Sequence, residues 1–283
     1  MNTAAAADLH SADLERRFGG LRRLYGDAGY ARLRAAHVGV VGLGGVGSWV
    51  VEALARSGVA GLVLFDLDHV AESNINRQAQ ALGRTLGQSK AQALAERVAD
   101  IHPGCQVLCV EDFVTPDNWP GLLPVPVDTL VDACDQVRAK VALAAWGVAT
   151  GVPVVCVGAA GGKRQAERVE VADLAQASHD PLLASMRQRL RQAGAVPPGA
   201  GGRIRPTGVQ CVFSREPVAL PAVGCAMGGA AVEPDASTSD GSLNCHGYGS
   251  SVTVTATFGM VAAGEAISQL LKPGTAGPGL RFG

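Results

Sequence analysis

Short apolar runs alternate with longer stretches of helical periodicity through the first half of the chain. Residues 37–41 (HVGVV) are too few for a stable helix and too apolar for a loop, which predicts a buried strand. Residues 46–57 predict an apolar helix that opens on glycines, and residues 62–65 the next strand, closing on Asp66. Residues 89–101 place Leu94, Val98 and Ile101 on one stripe of an amphipathic helix, and residues 106–111 alternate as a strand. A strand over 129–131, a helix over 137–150 and a strand over 154–157, just after Pro153, continue the series. This rhythm builds a parallel sheet with helical crossovers. The expected fold is therefore α/β: a Rossmann-like, mostly parallel sheet flanked by helices, with an irregular C-terminal extension.

Beyond Gly158 the rhythm breaks. Residues 169–171 extend the sheet, 180–191 predict a basic helix, 193–202 a flexible loop and 209–213 a strand. Residues 217–242 are rich in Gly, Ala, Pro and Ser and are expected to loop out. A helix over 252–271 closes one domain spanning 15–272, with residues 16–34 a basic helical or turn region at its start. Residues 1–14 and 273–283 read as tails, the first disordered. The apolar stretch 250–271 approaches bilayer length, but Glu265 and its Thr and Ser residues favour a buried core helix over membrane association.

Composition narrows the function classes. Apolar residues make up 47% and charged residues 17%, which excludes a disordered chain. Net charge is −1, so any contact with RNA must come from a local basic patch. The seven cysteines are odd in number and no pair has CxxC spacing, which argues against zinc. The first residues include acidic side chains and lack a long apolar core, so no signal peptide is expected and a cytoplasmic setting follows.

Candidate chemistry begins at residues 42–48 (GLGGVGS), between the first strand and first helix. Gly42, Gly44, Gly45 and Gly47 let the backbone approach a phosphate, and the helix N-terminus supplies N–H donors. Asp66 stands where a carboxylate accepts from ribose hydroxyls, with Asp68 two residues on. So far an NAD-dependent oxidoreductase is served equally well. Arg77 and Lys90 tip the balance, because a triphosphate needs cations on its outer phosphates. Asp135, in the segment 131–135 (VDACD), adds a hard oxygen ligand suited to Mg2+ between phosphates.

Residues 42–48, 65–78 (FDLDHVAESNINRQ), 87–90 (GQSK) and 132–135 (DACD) resemble the adenylation domain shared by E1 enzymes and the bacterial ThiF-type activators of sulfur-carrier proteins. The resemblance implies ATP and Mg2+ as cofactors. It places Gly45 near ATP, Asp66 on the ribose, Asn74, Arg77 and Lys90 on the nucleotide and its phosphates, and Asp135 on the metal. It also implies a homodimer in which an N-terminal arginine, Arg17 or Arg23, reaches the partner subunit's site.

Further stretches resemble the branch of that family that dehydrates threonylcarbamoyladenosine in tRNA: 17–20 (RFGG), 23–26 (RLYG), 112–118 (DFVTPDN), 158–162 (GAAGG), 180–182 (DPL), 211–214 (CVFS) and 253–259 (TVTATFG). That branch implies ATP-dependent adenylation of the threonine carboxylate, ring closure, and tRNA carrying threonylcarbamoyladenosine as partner. Its alternatives are activation of a sulfur-carrier or ubiquitin-like protein, or a place in a cysteine-desulfurase sulfur relay. The basic residues best suited to tRNA phosphates are Lys163, Arg164, Arg187, Arg189, Arg191, Arg203 and Arg205. The cysteines read first as packing residues, with Cys211, Cys225 and Cys245 the candidates for sulfur chemistry.

Overall fold

A computed structural model describes residues 13–196, 205–219 and 248–272. Asp13 caps the first helix, α1 (Leu14–Ala35), by accepting from the Arg16 amide at 2.9 Å. Strands β1 (His37–Val41), β2 (Gly61–Phe65), β3 (Gln106–Val110), β4 (Thr129–Asp132) and β5 (Val154–Val157) pair in parallel. They are interleaved with α2 (Gly47–Arg56), α3 (Lys90–Ile101) and α4 (Val137–Thr150). The extension adds β6 (Val169–Asp173), α5 (Pro181–Gln192), β7 (Gln210–Ser214) and α6 (Val252–Leu271).

The seven strands run in the order β3-β2-β1-β4-β5-β7-β6. Strand β7 inserts beside β5 in parallel, and β6 pairs with β7 antiparallel at the far edge. The expected mostly parallel sheet is present. What local pattern did not reveal is that the later strand β7 takes the inner place, because only β7 is apolar enough to be covered on both faces.

Alternate residues of each strand feed two cores. Val38, Val40, Leu62, Leu64 and Val155 pack with α2, α3 and α6 on one face, while Val41, Val63, Leu130, Cys156 and Phe213 pack with α4 and α5 on the other. Burial of these side chains stabilises the layers by roughly 1.5–3 kcal/mol each. Helix α6 belongs to the first core: Val254, Phe258, Ala262 and Ala266 are buried, and Gly259 lies where a Cβ would stand 2.7 Å from the Val46 carbonyl oxygen. It is long and apolar enough to cross a membrane, yet it packs against α1, α2 and the sheet.

Candidate nucleotide-binding site

The order of strands reverses between β1 and β4, each connected outward in opposite directions, and the crevice at such a point collects ligands. The glycine loop leaves β1 there. Gly42 has φ +83, and a Cβ on it would stand 2.8 Å from the Cys134 amide nitrogen. A Cβ on Gly47 would overlap the Gly42 carbonyl at 1.8 Å. The loop is thus folded tightly on itself and against the residues following β4, with Gly42, Gly44 and Gly45 on the crevice.

Asp66, just past β2, is buried, and burial raises its pKa above the ordinary carboxylate value. Its Oδ2 accepts from the Leu43 amide at 2.6 Å and its Oδ1 from the Asp68 amide at 2.9 Å. Each oxygen keeps a further lone pair for a ligand hydroxyl. Lys90 opens α3 and is buried at the wall, with Nζ donating to Asp68 Oδ2 at 2.6 Å. The Asp68 side chain is 55% exposed, so this pair faces solvent on its acidic side.

Asn74 caps a short 3-10 turn by accepting from the Ala71 amide at 3.0 Å. Three residues on, the stem of Arg77 lies over Gly45, where any Cβ would stand 3.2 Å from Arg77 Cγ and Cδ. The Arg77 guanidinium donates to the Ser73 carbonyl at 2.8 Å and to Asn76 Oδ1 at 3.0 Å. Its own carbonyl accepts from Trp49 Nε1 at 2.9 Å, which anchors the segment on α2.

These parts line one cleft of about 820 Å³: Gly42, Gly44, Gly45, Asp66, Asp68, Asn74, Arg77, Lys90 and Asp135 all reach it. Gly47 does not; it serves the loop's tight fold. The two carboxylates of the segment 131–135 stand in different surroundings. Asp132 ends β4 and is fully buried, whereas Asp135 is exposed at the rim with no hydrogen bond or ion pair on its carboxylate among the described residues. One free carboxylate beside a phosphate-sized crevice fits a Mg2+ that arrives with the nucleotide, since that ion takes one or two carboxylates plus phosphate oxygens and water. No cluster of three His, Cys, Asp or Glu side chains suited to a metal occurs among the described residues.

The far wall of the cleft went unrecognised in the sequence as a structural unit. It consists of the turn 158–161, the first residues of α5 and Tyr248. Asp180 joins the first two: its Oδ2 accepts from the Ala159 amide at 2.8 Å and its Oδ1 from the Leu183 amide at 3.0 Å. Asp-Pro at a helix start was the available signal.

The proposed RNA-contacting residues separate. Lys163 is a correction: it is buried, and Nζ donates to the carbonyls of Ser214 at 3.1 Å and Glu216 at 2.8 Å, so it cannot meet a phosphate. Arg187 is held back as well, donating to the carbonyls of Leu174 and Ala177. Arg164, Arg189, Arg191 and Arg205 are exposed, and Arg203 lies outside the described residues. Of the two N-terminal arginines, Arg17 caps α3 by donating to the carbonyls of Asp100 and Ile101, while Arg23 is exposed.

The thiols of Cys105, Cys109, Cys134, Cys156 and Cys211 are all pushed above the ordinary cysteine value by burial, that of Cys105 to about 12. None of these is an activated nucleophile. Cys225 and Cys245 lie outside the described residues.

An open parallel sheet with a phosphate-sized glycine loop, two cations and a free carboxylate at its switch point defines a nucleotide-binding α/β enzyme. The chain belongs to the ThiF family, whose model matches residues 17–280. It is 41% identical to the tRNA threonylcarbamoyladenosine dehydratase of Escherichia coli, over 90% of this chain and 93% of that protein. The Bacillus subtilis protein of the same name is 35% identical over 68% of this chain and 71% of its own length. Among solved structures, the E. coli dehydratase in complex with ATP superposes with a TM-score of 0.78 at 39% identity, covering 92% of this chain and 96% of that one.

Proposed function

We propose that this protein catalyses the ATP-dependent cyclisation, with net loss of water, of threonylcarbamoyladenosine beside the anticodon of tRNA. The observation that carries this reading is a single cleft of about 820 Å³ joining the glycine loop, Asp66, Arg77, Lys90 and Asp135 to a second wall at residues 158–161. The near full-length similarity to the E. coli dehydratase supports the choice of substrate.

A carboxylate is a poor electrophile. In this reading the threonine carboxylate attacks the α-phosphorus of ATP and pyrophosphate leaves, giving an acyl-adenylate. The ureido group of the same modification then attacks the activated carbonyl, a ring closes and AMP departs. The ring-closing nucleophile is already tethered, so no protein nucleophile is needed. This suits a set of cysteines whose thiols are held protonated.

The protein's part is to orient and to stabilise charge. The loop amides hold the phosphates and Asp66 the ribose. Arg77, whose stem is already laid across Gly45, swings its fork onto the reacting phosphates. Lys90 exchanges part of its contact with Asp68 for phosphate oxygens. Asp135 would hold Mg2+, which would supply charge neutralisation on the phosphates. The same reading carries a homodimer and a cytoplasmic setting, with the exposed Arg23 as the residue offered to a partner subunit.

The test is incubation of the protein with ATP and tRNA bearing threonylcarbamoyladenosine, followed by mass analysis of the nucleosides. Loss of one water, with AMP formed in equal amount, is expected. AMP formation that depends instead on a carrier protein ending in Gly-Gly, with the tRNA unchanged, would assign the chain to protein activation.

A further inference from the structure

Beneath the floor of the cleft lies an ammonium group that the chemistry above does not use. Lys140, on the first turn of α4, is fully buried, as is Asp132. Its three N–H donors find three acceptors: Asp132 Oδ2 at 3.0 Å, the Asp132 carbonyl at 3.3 Å and the Val157 carbonyl at 2.7 Å. Asp132 is the last residue of β4 and Val157 the last of β5. The other oxygen of Asp132, Oδ1, accepts from the Cys134 amide at 3.2 Å and its thiol at 3.0 Å.

The placement decides the role. Immediately after Asp132 the chain enters residues 133–136, which present Asp135 to the cleft, and immediately after Val157 it enters residues 158–161, the opposite wall. One side chain is therefore bonded to the root of each. We propose that Lys140 is a positioning residue that fixes the separation of the loop bearing Asp135 from the wall at residues 158–161, acting through Asp132 and Val157. It touches no ligand. An apolar residue there would fill space equally well at no desolvation cost, and buried ion pairs are weak devices for stability alone. What the ammonium adds is direction: three bonds to atoms at two strand ends.

The inference rests on the proposed adenylation at this site. It predicts that loosening Lys140 affects the reacting geometry and spares nucleotide capture, because the glycine loop and Asp66 hang on β1 and β2. The experiment compares wild type with the double variant K140M/D132N and the single variant D132N. The double variant leaves no stranded charge, and the single one keeps shape and both carbonyl acceptors of Lys140. Thermal midpoint, KM for ATP, and kcat per ATP-binding site are measured with the modified tRNA.

Folded double variant is expected to keep the ATP KM within about threefold while kcat falls on the order of 10–100-fold, since small misplacements of reacting groups carry costs of that size. D132N is expected to lose kcat in the same direction by a smaller factor. Wild-type kcat per site in either folded variant overturns the inference. Should the double variant not fold, D132N alone decides. A wild-type protein without turnover overturns the adenylation reading, and this inference falls with it.

Discussion

Two lysines sit in the first turns of helices on either side of the switch point, and their surroundings differ. Lys90 pairs with Asp68, whose side chain is 55% exposed, on the wall of the cleft. Lys140 pairs with Asp132, and both are at 0% exposure behind the cleft. Burial alone would pull the Lys140 ammonium down, but the carboxylate of Asp132 beside it raises its pKa above the usual lysine value. The same pair of residue types is thus labile where one partner is solvated and locked where neither is. A ligand can compete for the first; only the fold uses the second.

The widest separation between the two is expected in stability. K140M strands a buried carboxylate and should cost about 3–5 kcal/mol in denaturant unfolding. K90M leaves Asp68 in water and should cost no more than about 1 kcal/mol, while turnover falls. Equal losses would erase the distinction.

Next come the groups at the rim. R77A is expected to lower kcat/KM on the order of 100–1000-fold, the scale of a lost transition-state donor, with a thermal midpoint close to wild type. Among the described residues its guanidinium is bonded only locally, to Ser73 and Asn76.

A smaller effect is expected from His102, at the C-terminal end of α3. It is buried, with Nε2 2.7 Å from Arg34 Nη1, and its pKa is pushed down to about 4 by burial and by the charges of Arg34 and Arg17. The unfolded chain takes up this proton near pH 6.5 and the folded one does not until about 4. Stability should therefore decline as pH falls from about 6.5 to 4, and H102Q should flatten that part of the stability–pH curve. An unchanged slope would remove His102 as the cause. The smallest effect concerns RNA: R191A should raise the KM for tRNA and reduce the salt slope of binding by about one. The buried Lys163, replaced by Met, should leave that slope unmoved.

The sequence was legible where chemistry and structure are local. Strand, glycine loop, helix and Asp66 lie within one βαβ unit, so spacing alone brought Gly42, Gly45, Asp66, Arg77 and Lys90 to one cleft. It was less legible where partners are remote. Lys163 follows a glycine pair and looks like a surface cation, yet its carbonyl partners stand 51 and 53 residues away. Asp132 and Asp135 stand three residues apart in one acidic segment, and spacing does not show that the strand ends on the first, buried, and leaves the second exposed beyond it. Lys140, followed on its helix by an almost wholly apolar run, carried a signal: a cation on such a buried face needs a buried anion.

The central claim is that the switch-point cleft grips a triphosphate and a metal through side chains from both of its flanks. A crystal structure with ATP and Mg2+ tests it most directly. The account predicts phosphate oxygens within hydrogen-bonding distance of Arg77 and Lys90, and the metal on Asp135. A triphosphate lying clear of all three, or a nicotinamide dinucleotide bound there in its place, would contradict it.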